Sequence, residues 1–260
     1  MDILDKFIEQ AKENVKSGYY DLSNESMTDI KRNSLKQKLI SQYFTLIAEI
    51  KHASPAGEYS FDDVDANELA FKFKNAGADA ISVVVEPKIF KGHLENIATA
   101  KKTELPVLFK DFVISEAQIK SAAALGADCI LLIVKVGERL NLDIDKLIKE
   151  AHSYGMEVLL ECYDKEESQK ALRTEADIIG INNRDLKTLK VDLNQTKEMM
   201  TYLRTQGLNR PVISESGIKS NKDAQFVKLQ GVNGILVGTA IWTADDQYAK
   251  IKELRLVGDK

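Results

Sequence analysis

Two cysteines in 260 residues are too few to staple a domain of this size, which excludes a disulfide-built scaffold and points to a reducing compartment. Only three histidines occur, His52, His93 and His152, with no paired spacing and no cysteine nearby. Metal ligation is therefore not expected of them; they read as solvated or supporting groups, and no cofactor is called for. The longest apolar run, Cys129-Ile130-Leu131-Leu132-Ile133-Val134, is far too short to cross a bilayer. The opening Met1-Asp2-Ile3-Leu4-Asp5-Lys6 lacks the basic segment and apolar core of an export signal. Neither a membrane nor secretion is expected, and the location reads as cytoplasmic. A net charge of −4, from 36 basic and 40 acidic residues, lacks the cationic excess that non-specific nucleic-acid binding needs.

What is present is an alternation. At 44% hydrophobic residues the chain can build a sizeable core. Short apolar runs recur at Thr45–Lys51, Ala80–Val85, Pro106–Asp111, Cys129–Val134, Glu157–Tyr163, Ile178–Asn183, Pro211–Ser216 and Gly234–Ile241. Longer charged stretches with helical apolar spacing lie between them, such as Ala66-Asn67-Glu68-Leu69-Ala70-Phe71-Lys72-Phe73. Eight strand–helix units predict an α/β fold, a (β/α)8 TIM barrel. The rival, a doubly wound open sheet, would carry a G-x-G-x-x-G turn after a strand, and none occurs. The expected organisation is one barrel domain over 1–260, of which 1–44 is a helical extension with patterns at Ile3–Lys16 and Ser34–Tyr43. That extension should cap the barrel floor or edge its rim.

The strand ends carry charges. Alternation along a strand puts Glu49 and Lys51 on one face, at the carboxyl end of the first run. The third run ends at Lys110, the fifth at Glu161, the sixth leads through Asn182 to Arg184, and the seventh ends at Glu215. Ionised groups are rarely buried without partners, and the carboxyl end of a barrel is where catalytic groups gather. Any one of these could be a rim salt bridge; together they predict a site. Ser216-Gly217 and Gly238-Thr239, at the ends of the last two strands, predict a phosphate cradle, which Lys51 and Ser54 could reach. Cys129, Cys162 and Trp242 read as packing residues. Lysines interleaved with glutamates beside a phosphate site suit acid–base work on a small phosphorylated substrate. A sugar-phosphate lyase, an isomerase and a Schiff-base aldolase all remain open on this ground.

Ordered segments narrow the choice. Ala48-Glu49-Ile50-Lys51 with Ser54-Pro55, Glu86-Pro87-Lys88-Ile89-Phe90, Pro106-Val107-Leu108-Phe109-Lys110-Asp111-Phe112, Leu160-Glu161, Gly180-Ile181-Asn182-Asn183-Arg184-Asp185-Leu186, Ser214-Glu215-Ser216-Gly217-Ile218 and Val237-Gly238 resemble the indole-3-glycerol phosphate synthase family. The resemblance implies closure of the indole ring of 1-(2-carboxyphenylamino)-1-deoxyribulose 5-phosphate, with loss of carbon dioxide and water, in tryptophan biosynthesis. It implies Lys110 as general acid, Glu161 as acid–base group of the dehydration, Glu49 in support of both steps, and Lys51 on a substrate carboxylate or phosphate. Asn182 and Arg184 would position the substrate, and Glu215 would orient neighbouring groups. Phe90 and Phe112 would flank the aromatic ring, with Leu236 as a further substrate contact. Ser54, Ser216, Gly217, Gly238 and Thr239 would complete the phosphate and rim contacts.

One departure from the family's usual first loop is the order Lys51-His52-Ala53-Ser54-Pro55-Ala56, with His52 where arginine is common and Ala56 where serine is common. Thr239 stands where serine or glutamate is common. Phosphoribosylanthranilate isomerase chemistry and a non-catalytic phosphate-ligand barrel stay as alternatives. A polar helical shell fits a monomer and a weak homodimer equally.

Overall fold

The computed structural model describes residues 2–22, 31–61 and 64–255. Two helices lead, α1 (Ile3–Lys16) and α2 (Leu35–Ser41). There follow β1 (Thr45–Ile50), α3 (Ala66–Ala76), β2 (Ala80–Val84), α4 (Glu95–Lys101), β3 (Val107–Lys110), α5 (Glu116–Ala124) and β4 (Cys129–Ile133). Then come α6 (Val134–Leu140), α7 (Ile144–Ser153), β5 (Glu157–Cys162), α8 (Lys165–Arg173), β6 (Ile178–Asn182), α9 (Asn194–Thr205) and β7 (Val212–Glu215). The chain continues through α10 (Asn221–Leu229), β8 (Gly234–Val237), α11 (Thr239–Trp242) and α12 (Gln247–Arg255). The eight strands form a closed barrel in chain order, with β1 paired to β8 through Thr45 opposite Gly234. All its pairs are parallel. This is the (β/α)8 barrel that the alternation predicts.

Side-chain alternation divides the core into two layers. Ile47, Ala80, Leu108, Leu131, Leu159, Ile178, Ile213 and Leu236 point inward and pack with one another. Leu46, Ile50, Ile81, Phe109, Ile130, Leu160, Ile181 and Ile235 point outward under the helices. Two residues beyond Ile47, Leu108, Leu159 and Ile213, the inward face reaches Glu49, Lys110, Glu161 and Glu215. The strand period therefore decides which groups meet at the mouth. Cys129 joins the inner layer and Cys162 the outer one, both as free buried thiols.

The two described helices of the extension divide between the floor and the mouth of the barrel. Helix α2 closes the floor: Leu35 and Leu39 are fully buried in the inner layer, and Lys36 N donates to Glu157 Oε2 at 2.9 Å at the start of β5. Helix α1 lies at the mouth. Its capping box, in which Asp2 and Asp5 exchange backbone–carboxylate hydrogen bonds, fixes its start, and the same two carboxylates pair with Arg139 of α6. Asn14 Nδ2 donates to Glu86 Oε1 at 3.0 Å, and just beyond α1 the Tyr20 hydroxyl donates to Asp111 Oδ2 at 2.6 Å.

The last apolar run differs from expectation. It is read as a strand through Ile241, but β8 stops at Val237 and the short helix α11 begins at Thr239. Gly238 makes the turn. Most other runs likewise stop a residue short at the mouth, where the chain leaves the sheet to form the loops that carry the site.

Candidate active site

Glu49 is at the centre. Its carboxylate is 3% exposed, with Oε1 3.1 Å from Lys51 Nζ and Oε2 3.6 Å from Lys110 Nζ. Burial works against the charge, but the two ammonium groups outweigh it and hold the carboxyl below its ordinary value. Lys110 shows the converse. Its burial opposes charge, yet Glu49 above all, with Glu161 in support, raises it above an ordinary lysine. Both stay ionised at neutral pH, so Lys110 enters any reaction with a proton to give. Glycine makes this arrangement possible: a Cβ on Gly238 would lie 2.5 Å from Glu49 Oε1. Trp242, expected only to pack, also donates its indole N–H to the Glu49 carbonyl at 2.8 Å and stacks on Tyr59 at 5.8 Å.

Glu161 is held from the next strand but one residue along. Asn182 Nδ2 donates to its Oε1 at 2.9 Å, and Asn182 Oδ1 accepts from Arg184 N at 2.9 Å, so the amide is oriented on both sides. Burial raises the Glu161 carboxyl, and the Lys110 charge and the Asn182 hydrogen bond offset this only in part. Glu215 is 2% exposed, and neither of its carboxylate oxygens has a hydrogen-bond partner among the described residues. Burial, then the neighbouring Glu161 charge, push it up to about 8 despite Lys110. At neutral pH it is mostly the neutral acid, which its sequence context does not reveal.

The remaining predicted residues line the same cavity of about 690 Å3. Phe90 and Phe112 form part of an apolar wall with Leu131, Ile133 and Leu236. On the opposite side lie Ser216 and Gly217, both with positive φ, and Gly238 with Thr239. Val191, from the loop after β6, packs so closely that a Cβ on Gly217 would lie 2.2 Å from its Cγ1. Arg184 Nη1 donates to Leu189 O at 3.3 Å within that loop, and the Ser54 hydroxyl bonds to Glu58 in the first loop. The structure thus brings every predicted site residue to one cavity.

Several contributors are absent from the sequence prediction. Phe7 of α1 completes the aromatic wall, with ring centroids 4.8 Å from Phe112 and 5.7 Å from Phe90. Only the amphipathic pattern of α1 signals it, and that pattern does not say which core it enters. Asn183 ties β6 to β7: its Nδ2 donates to Ser214 Oγ and Glu215 O, both at 2.9 Å. Glu86 holds the Phe90 loop by accepting from the backbone N–H groups of Lys88, Ile89 and Phe90. His52, read as a solvated or supporting group, is buried, 3.4 Å from Asn96 Nδ2, with its ring 5.5 Å from that of His93. Burial, then His93, lower it, so this buried imidazole does not supply the charge of the arginine common there. His152 pairs with Asp177 at 2.9 Å on the outer side. Among the described residues no three His, Cys, Asp or Glu side chains are grouped to hold a metal ion. None of the described helices is long and apolar enough to cross a membrane.

A cavity with an aromatic wall, glycine-bearing strand ends opposite and ionised lysine and carboxylate between them suits proton transfer to and from a small aromatic molecule. Comparison with known proteins agrees. A family model described as indole-3-glycerol phosphate synthase matches residues 4–254. The chain is 40% identical over 248 residues to the indole-3-glycerol phosphate synthase of Bacillus cereus (strain G9842), covering 93% of each protein. To that of Aquifex aeolicus it is 40% identical over 210 residues, covering 80% of each. Among solved structures, a 3-hexulose-6-phosphate synthase superposes with a TM-score of 0.64 at 21% identity, over 82% of this chain and 99% of that one. A thiamine phosphate pyrophosphorylase from Pyrococcus furiosus gives 0.59 at 18% identity, over 87% and 98%. These two likenesses concern the fold alone.

Proposed function

The chain belongs to the indole-3-glycerol phosphate synthase family, and from that premise we propose how its mouth divides the work of the reaction. The activity is that of a decarboxylating lyase of tryptophan biosynthesis, acting on a phosphorylated small molecule. In the substrate, 1-(2-carboxyphenylamino)-1-deoxyribulose 5-phosphate, the ring carbon bearing the carboxylate bonds to the ketone carbon of the sugar chain. Lys110 protonates the ketone oxygen as that bond forms. Carbon dioxide leaves and the ring recovers its aromaticity. Glu161 then serves the dehydration, giving a proton to the departing hydroxyl and taking one from the adjacent carbon.

The other roles follow from position. Glu49 keeps Lys51 and Lys110 charged and in place for both steps. Lys51 meets the substrate carboxylate or phosphate. Asn182 fixes Glu161, Arg184 offers a planar fork to a carboxylate, and Glu215 borders the reacting atoms. Phe90 and Phe112 flank the aromatic ring, with Leu236 as a further substrate contact. Ser54, Ser216, Gly217, Gly238 and Thr239 receive the phosphate. Helices α1 and α2 serve the same barrel unit, at its mouth and its floor.

The observation that carries this reading is Glu49 bridging Lys51 at 3.1 Å and Lys110 at 3.6 Å inside a cavity with an aromatic wall. An isomerase needs one acid and one base and leaves that bridge unexplained. The test is to supply the anilino-ribulose phosphate and, separately, phosphoribosylanthranilate, each with a chelator present. Indole absorbance should rise with the first substrate and the second should persist. Turnover of the second alone would contradict the reading.

A further inference from the structure

The ring closure described above consumes a proton in every turnover, because a carboxylate enters while neutral carbon dioxide and water leave. Following the protons locates the deficit. Lys110 gives one to the ketone oxygen as the carbon–carbon bond forms. Decarboxylation returns an electron pair to the ring and releases no proton. In the dehydration the leaving hydroxyl takes a proton and the neighbouring carbon loses one, so Glu161 gives and regains, a net of zero. Lys110 therefore ends the cycle as a neutral amine and has to be recharged before the next one.

One group in the cavity is built to hold that proton. Among the described residues, Glu215 is the cavity-lining side chain with buried oxygens and no hydrogen-bond partner. Its placement depends on Gly180. In the β5–β6 register Gly180 is the partner of Glu161, and a Cβ there would lie 2.3 Å from Glu215 Oε1. The Glu215 carboxyl thus reaches across β6 into the row of Glu161, over a strand position that carries no side chain. An ionised carboxylate in that place would be both buried and unpaired, the costliest state for the group.

We propose that Glu215 is the proton reservoir of the site: its carboxylic acid passes a proton, by way of solvent in the cavity, to the Lys110 amine after ring closure and is refilled from bulk water when product leaves. The charged groups that act on it are Glu161 from β5, Glu49 from β1 and, in the opposite sense, Lys110 from β3. Their balance, with burial, puts Glu215 at about 8, while Lys110 is raised above an ordinary lysine, so the transfer runs downhill. The proposal rests on the reading of Lys110 as the acid of ring closure.

Glu215→Gln keeps the shape and removes the proton. Rapid-quench kinetics with the anilino-ribulose phosphate, first with enzyme in excess and then with substrate in excess, separate the first turnover from later ones. The expected first-turnover rate is within about twofold of wild type, while steady-state kcat falls about tenfold or more, the scale of a lost proton-transfer group. The wild type should also lose kcat as pH rises through about 8, and the variant should not. If first and later turnovers fall together with the alkaline loss retained, or if neither changes, Glu215 is not the reservoir. Lys110→Met distinguishes the two levels. An inactive first turnover there with a normal Glu215→Gln enzyme defeats only the reservoir; a normal first turnover there defeats the role of Lys110 and the reservoir with it.

Discussion

Gly238 and Glu49 compete for one space: the Cβ that any other residue would place at position 238 lies 2.5 Å from Glu49 Oε1. The carboxylate that organises both lysines depends on a missing side chain on the adjoining strand end. Gly238→Ala should therefore push Glu49 out of reach of Lys51 and Lys110. A displacement of about 1 Å at a reacting group costs on the order of a hundredfold in rate. Steady-state kinetics of Gly238→Ala should show that loss in kcat, and a fully active alanine variant would show that Glu49 has no such demand on its neighbour.

Phe7 brings the amino-terminal helix into the site through ring contacts at 4.8 Å with Phe112 and 5.7 Å with Phe90. Its ring packs in the apolar inner layer, so it contributes to binding in the ground and transition states alike. Phe7→Ala should raise KM about tenfold, near 1.4 kcal/mol, and leave kcat within about threefold. A change confined to kcat would place Phe7 in the chemistry instead.

Glu215 makes stability depend on pH in a direction opposite to most carboxylates. Folding raises it from 4.5 to about 8, so its contribution to stability is complete below about 4.5 and is lost as pH rises through about 8. Glu215→Gln has nothing to ionise. The Tm of the two proteins should be similar near pH 4, and at pH 9 the variant should melt higher, on the order of a few degrees. Thermal melts across that range decide it; a difference that stays constant with pH contradicts a buried, unpaired acid.

The barrel and its ring of strand-end charges are legible because both follow from a period of two. Glu49, Lys110, Glu161 and Glu215 stand one step beyond apolar inward positions, and a charge there demands a reason. What the pattern cannot show is contact over long separations. Phe7 belongs to a helix whose apolar face would look the same against any core. Asn183 and Glu86 read as loop polar residues until their hydrogen bonds to Ser214 and to the Phe90 loop are seen. The neutral state of Glu215 arises from its burial and from Glu161 and Glu49 on two other strands, against the pull of Lys110, and the burial of His52 from its neighbours Asn96, His93 and Trp242. The end of β8 is hidden because Ala240 and Ile241 continue the apolar run while the backbone has turned at Gly238.

The central claim is that Lys110, kept charged by Glu49 and Glu161, supplies the proton of ring closure. Lys110→Met removes the proton and keeps most of the side chain's length. Measured with the anilino-ribulose phosphate, kcat should fall by about a hundredfold to ten-thousandfold while the dissociation constant of the substrate stays within about threefold of wild type. A methionine enzyme that turns over at the wild-type rate would contradict the account at its root.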